Sequence, residues 1–380
     1  MIYLAMFLTT TLLLYASSRC KGVLEALLAT AGLLLPCLLA GLRDETIGTD
    51  VLSYAKWMAI DAQNMGFIDF IQYEAETANS GWNVFTWITV NATGGLSGYL
   101  FCIEALCILP IYFGLRHMCR AWEWAGILSW LLLWYAFSLN GMRQCAAMSI
   151  VFYSTVYVLE RRPLPFLVGI VAAVSLHQTA VVGLFIYLFA FIYRYSGSIS
   201  NLLGKWRSPI VIAASICIVG ICIVFGDRIV LALSFLKDSY SFQVNAIGEN
   251  DFSFAGLYLT ILISCLWGAA RREFVSSTAL IGEEPRAISR NGFDIACGVA
   301  LIGSLLWQLN LASATLGRIG YYGSILIPLV VAMLGSNGPK TRSQFLFSMV
   351  CSSVYFVVIT LMMGQSGVVP YTSVLLGISG

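Results

Sequence analysis

The chain has 380 residues, of which 59% are hydrophobic and only 11% charged, with a mean hydropathy of +0.84; an ordinary soluble domain carries roughly 25% charged residues. A net charge of +2, with no basic stripe interleaved with aromatics, excludes nucleic acid as a partner. Repeated apolar runs of about twenty residues fit helices crossing a hydrocarbon core roughly 30 Å thick, without the strict alternation of an outer-membrane barrel, so the class is an all-α polytopic membrane protein.

Apolar spans fall near 1–18, 23–42, 97–116, 121–139, 142–159, 163–193, 208–226, 254–270, 292–309, 319–335 and 344–363. The first has no basic residue ahead of it, and Arg19 and Lys21 follow it. It reads as a retained helix with its N-terminus outside. Taking each short loop in turn, 15 of the 21 Lys and Arg residues fall on one side, which is then cytoplasmic. Both termini are expected outside. The scheme closes only if 163–193 begins and ends inside, yet its 31 residues are too few for two full spans of about twenty. Two short helices or a re-entrant hairpin are expected there, with His177 near the turn and the turn lining a cavity.

The remaining six basic residues, Arg43, Lys56, Arg143, Arg228, Lys237 and Arg318, fall outside with 11 of the 19 acids, seven of them between 43 and 80. Two large external segments result, 43–96 and 227–253, in a single domain spanning 1–380. The first contains GWNVFTWITV, expected as a short interfacial helix anchored by Trp82 and Trp87. None of the 11 cysteines forms a CxxC pair and nearly all sit in or beside apolar runs, so neither a metal site nor a disulfide framework is indicated.

Four stretches carry polar residues that an apolar chain has little reason to keep. In GLRDETIGTDVLSY, Gly48 permits a tight turn, and Thr49 and Asp50 fit the start of a helix; Asp50 either offsets that helix's dipole or serves as a partly desolvated base beside Arg43. In NGMRQCAAMSI, Arg143 and Gln144 open an apolar helix. This is either a snorkelling arginine or an anion cradle. In VSLHQTAV, His177 lies inside an apolar run, as a base, a phosphate donor or a histidine satisfied by one carbonyl. In TLGRIGYYGSILIP, Arg318 stands alone at the outer start of a span, and Tyr321 and Tyr322 fit an aromatic belt or a substrate contact. Glu104, buried in its span, reads as a structural hydrogen-bonding residue.

The ordered set of these stretches, ending in VVPYTS, resembles the EpsG family of bacterial polysaccharide polymerases, the Wzy-type enzymes of exopolysaccharide and O-antigen assembly. The resemblance covers about residues 41–373 and is dense only inside the motifs. It implies a glycosyltransferase of the bacterial inner membrane with a GT-C-like bundle of about 11–12 transmembrane helices, periplasmic loops carrying short helices, and an active site facing the periplasm. The growing glycan would pass from undecaprenyl pyrophosphate to a fresh lipid-linked repeat unit, with no cofactor, no metal and no nucleotide sugar. Membrane lipid, chain-length regulators and flippases are the implied partners.

The family pattern falls on Arg43, Gly48, Thr49, Asp50 and Tyr54, then Arg143 and Gln144, then His177, then Arg318 and Tyr322. Asp44 stands at a variable position and is a lesser candidate. Arg143 and Arg318 would hold the pyrophosphate, Asp50 or His177 would deprotonate the acceptor, Arg43 would fix the carboxylate or touch phosphate, and Gln144, Tyr322 and Tyr54 would line the substrate. Three other readings remain: a ligase that moves finished polymer, a flippase or transporter for the lipid-linked glycan, and a structural membrane subunit. A flippase is expected to carry an internal repeat or charges through the middle of several helices.

Overall fold

In the computed structural model, residues 2–195, 253–274, 290–311 and 314–379 are described, save 77 and 272. The expected span 208–226 and external segment 227–253 lie outside the described residues, apart from Ser253. Among the described residues there are helices and no strand, only an isolated antiparallel bridge between Ser373 and Ile378. The all-α polytopic reading therefore holds. Five stretches are long and apolar enough to cross a membrane: Val23–Gly41, Leu96–Ser138, Arg290–Leu311, Leu316–Ser336 and Gly338–Met362.

Helix α1 (Ile2–Arg19) pairs with α2 (Val23–Gly41). A layer external to the helix bundle follows: a wide π-type turn at Val51–Ala55 runs into α3 (Lys56–Asn64), then come α4 (Phe67–Tyr73) and α5 (Ser80–Thr93). Helices α6 (Leu96–Cys119), α7 (Glu123–Ser138) and α8 (Met142–Leu159) form the central bundle. Next are α9 (Pro163–Leu176), α10 (Leu184–Tyr195), α11 (Phe254–Ala270) and α12 (Arg290–Leu306). The short α13 (Ala314–Ile319) and α14 (Tyr321–Ser324) lead into α15 (Ile327–Ser336) and α16 (Arg342–Tyr355).

The α9–α10 segment is the expected short hairpin. Its first helix has 14 residues, about 21 Å at 1.5 Å per residue, well short of the roughly 30 Å of a full crossing. At one end Arg194 Nη2 donates to the Val158 carbonyl (2.8 Å), returning the hairpin to the C-terminus of α8. At the other, the tip is roofed by the external layer: Asn79 Nδ2 donates to Val174 O (3.1 Å), and Gly81 of α5 lies against Ser175. Backbone that leaves helical geometry at this depth needs protein partners. They are present, with His177 N–H donating to Ala173 O (3.0 Å) and Ala180 N–H to His177 O (3.0 Å).

The external helix at GWNVFTWITV forms, but not as an interfacial raft. Trp82 is fully buried, and Trp87 donates its indole N–H to Met65 O (3.2 Å). Asn83, Thr86 and Val90 share the buried face, and Thr86 hydrogen bonds Tyr99 of α6 (2.7 Å). The helix is a lid packed on the bundle because its inward face carries large side chains at helical spacing.

Charged residues at the opposite end lock helices together. Glu25 accepts from Arg116 (2.5 Å) and Arg120 (2.7 Å), and His117 meets Glu160 (2.6 Å). Asp294, 1% exposed, accepts from Tyr193 (2.6 Å) and the Trp267 indole (2.7 Å) and lies 3.4 Å from Arg271. Three helices, α10, α11 and α12, thus converge on one carboxylate. Replacing it with Ala takes their shared acceptor away inside a low-dielectric interior. We expect Asp294→Ala to cost roughly 3–5 kcal/mol, read as a lowered thermal midpoint in detergent, with Asp294→Asn milder.

At the end that carries the four motifs, Gly48 has φ +80°. A Cβ there would overlap the Leu139 carbonyl, so only glycine admits both the left-handed backbone and the close approach. Gly48→Ala is expected to lower the thermal midpoint by the equivalent of about 1–3 kcal/mol, whereas Gly94→Ala, left-handed but in open space, costs less.

Candidate functional site

The segment after α2 does not hang free. Thr49 donates both its N–H (2.9 Å) and its hydroxyl (2.6 Å) to Asn140 Oδ1, in the turn between α7 and α8. Thr49 thus binds a neighbouring turn instead of capping its own helix. This seats Asp50 against the start of α8, where the Met142 amide faces the carboxyl. The dipole that Asp50 answers is therefore that of α8. Burial raises the Asp50 carboxyl above the usual carboxylate range; the Tyr54 hydroxyl, Arg143, Arg318 and the Met142 amide pull it back down.

Tyr54 is buried on the inner face of the wide turn, one turn beyond Asp50. Its hydroxyl faces the carboxyl yet completes no hydrogen bond of acceptable distance and angle. Its ring carries the Arg143 guanidinium 4.2 Å above the centroid. Stacking of this kind fixes the plane in which a guanidinium presents its donors.

His177 joins from the hairpin tip. Its Nδ1 is 2.7 Å from Thr179 Oγ1, which is 3.0 Å from the Tyr322 hydroxyl. This relay fixes the imidazole plane and leaves Nε2 as the ring's other nitrogen. Arg143 and Arg318 are the two charges that act on the ring. Arg318 is exposed on α13, and its carbonyl accepts from Gln144 Nε2 (2.9 Å). Asp50, Tyr54, Arg143, His177 and Arg318, drawn from four remote stretches, therefore share one end of the bundle.

Four residues singled out by sequence are placed differently. Arg43 is 6% exposed and contacts neither Asp50 nor the surface; its Nη2 donates to Leu139 O (3.0 Å) and sits 3.3 Å from Met142 Sδ. Glu104, buried nearby, accepts from Ser138 Oγ (2.7 Å) as the structural hydrogen-bonding residue anticipated. Leu139 O takes one Nη2 bond, while the Arg43 Nε is buried without a hydrogen-bond partner among the described residues. Gln144 and Tyr322 are buried and bonded to protein groups, so both brace the site from behind. Asp44 pins the C-terminal segment: its N–H donates to Thr372 O (3.1 Å) and its Oδ1 accepts from Val374 N–H (2.8 Å). Glu45 pairs with Lys56 (2.6 Å). Asp44, Glu45 and Asp50 thus look to three different partners.

Asn140 and Thr179 were missed. Each is an ordinary polar turn residue in sequence; the hydroxyl two residues after His177 was the one available signal. Tyr371 and Tyr3 complete the support, donating to Leu39 O (3.0 Å) and Val368 O (2.7 Å) and so tying the C-terminal segment to α1 and α2 at this same end.

Neither the curated proteins nor the solved structures contain a match to this chain. The model of the EpsG family, the family of Wzy-like polysaccharide polymerases, matches residues 27–373, nearly the whole chain and all four stretches that build this site, and the chain therefore belongs to that family.

Proposed function

We propose that the chain is a GT-C-like polysaccharide polymerase of the bacterial inner membrane. It transfers the growing glycan from undecaprenyl pyrophosphate to the non-reducing end of a new lipid-linked repeat unit on the periplasmic face. The observation that carries this reading is the meeting of two guanidiniums, a carboxyl with a raised pKa and an oriented imidazole at one end of the bundle. Family membership supports the polymer as product.

In the reaction, the bond from the sugar C1 to the pyrophosphate oxygen breaks as the acceptor hydroxyl oxygen bonds to C1. Negative charge grows on the leaving pyrophosphate. Arg143, preset on Tyr54, and Arg318, on the mobile end of a long side chain, stabilise that charge. The acceptor proton passes to Asp50, whose raised pKa makes it a better proton acceptor at neutral pH than an ordinary carboxylate. His177, braced through Thr179 and Tyr322, hydrogen bonds the glycan or phosphate from the hairpin tip. Arg43 is a positioning residue, holding the α7–α8 turn against which Thr49 and Asp50 rest.

Purified protein given a lipid-linked repeat unit should extend chains, measured by gel or mass ladder. Arg143→Ala and Arg318→Ala are each expected to slow elongation about 10²–10³-fold. Arg143→Lys should recover little, since an ammonium neither stacks on Tyr54 as a plane nor binds phosphate with two parallel bonds. Normal ladders from both alanine variants would overturn the cradle. Transfer to a lipid A core or a protein, with single units left unjoined, would instead identify a ligase.

The pH dependence tests the base. Asp50 works only when ionised, so elongation should fall as the pH drops through its pKa, at a midpoint above the ordinary aspartate value of about 4. Asp50→Asn should lose about 10²–10⁴-fold in rate and remove this acid limb. An unchanged acid limb in that variant would exclude Asp50 as the base.

A further inference from the structure

At the end of the bundle remote from the site, α2 and α6 part company. Their outer ends touch closely, since a Cβ on Gly41 would come within 2.8 Å of Ser97 O. Both helices contain an internal proline, Pro36 and Pro110, each removing a backbone hydrogen bond and bending its helix. Away from the contact they bound an open groove of about 480 Å³, floored by Ala29, Leu33, Ala105 and Leu109. Its volume falls within the roughly 300–1,000 Å³ of ligand sites. From Gly22 to Cys37 it runs about 22 Å along α2, the depth of at least one leaflet.

The groove ends in charge. Glu25 and Arg116 line its end, and Arg120, 48% exposed, reaches Glu25 from the side. Lys21 is exposed on the α1–α2 connection, next to Gly22 of the groove lining. Arg116, Arg120 and Lys21 thus stand against Glu25 and Glu123, an excess of one positive charge at the mouth of an apolar slot. A comparable hollow between α11 and the turn after α16, of about 450 Å³, is lined by Phe254, Ile261 and Met363, with no charged residue among the described residues that line it. Lipid tails alone would fill either. Of these two hollows, the α2–α6 groove is the one that couples a tail-length slot to a net positive rim, the combination that selects an anionic headgroup between helices.

We propose that this groove is a binding site for an anionic phospholipid, which lays one acyl chain along Ala29 to Leu109 and sets its phosphate against Arg120 and Lys21. The second chain remains in the bilayer, because the groove is open along its side. Glu25 holds Arg116 and Arg120 together so that the headgroup meets a prearranged pair. The site is independent of the transfer chemistry at the other end of the bundle.

The test is native mass spectrometry of the full chain in detergent, titrated with dioleoyl phosphatidylglycerol or with dioleoyl phosphatidylethanolamine, which carries the same chains. One retained phosphatidylglycerol adduct is expected, binding at least about five-fold more tightly than its zwitterionic counterpart, the equivalent of about 1 kcal/mol for one charge contact. Arg120→Gln should erase that preference. Thr30→Trp, a lipid-exposed position on the groove wall, should remove the adduct with either lipid by filling the slot. Thermal midpoints in lipid-free detergent, equal to the unaltered chain's, show that both variants are folded. Inorganic phosphate in large excess should leave the adduct in place. Equal binding of the two lipids, full binding by Thr30→Trp, or displacement by phosphate alone would each overturn the assignment.

Discussion

The contact between the segment after α2 and the turn joining α7 to α8 organises this molecule. Leu139 and Asn140 leave their carbonyl and amide oxygens open where two helices change direction, and the chain supplies donors from Arg43 and Thr49. Leu139 and Arg43 are buried, where no water replaces a lost partner, and Thr49 and Asn140 close the same turn from its exposed side. Gly48 lets the two backbones touch. Once that seam is closed, Asp50 is directed at α8 and Tyr54 lies under Arg143.

The site is assembled by neutral and apolar scaffolding more than by ion pairs. Arg143 rests on a ring, His177 on two hydroxyls, and Arg318 on a backbone bond from Gln144. The tightest carboxylate–arginine pairing lies at the far end, where Glu25 holds two arginines. Stacking on a ring fixes the plane of one guanidinium, whereas a shared carboxylate fixes two arginines relative to each other.

Much of this was legible in the amino-acid sequence because charge is expensive in an apolar chain. Arg143, His177 and Arg318 each stood out at a place where burial has a cost, and loop charges were enough to predict that the hairpin at 163–193 is short and that His177 lies at its tip. What stayed hidden is the direction in which side chains point. Arg43 and Asp50 are seven residues apart, yet one faces the bundle interior and the other faces α8, a difference set by the left-handed Gly48 between them. Trp82 looked like an interfacial anchor by type alone, but the helix carrying it presses that face inward. Gln144 and Tyr322 lie beside charged residues in the motifs, and nothing in residue type distinguishes a ligand contact from its support.

The C-terminal segment adds a temporal dimension. Gly48 N–H donates to Gly367 O (3.3 Å), and Asp44 is clasped by residues 372 and 374. The two halves of this clasp are separated by more than three hundred residues of chain, so the later half is made well after the earlier one. The Arg43 and Thr49 contacts with the α7–α8 turn join residues 96 and 91 positions apart, so the seam can close first and the C-terminal clasp is laid over it once residues 367–374 have been made.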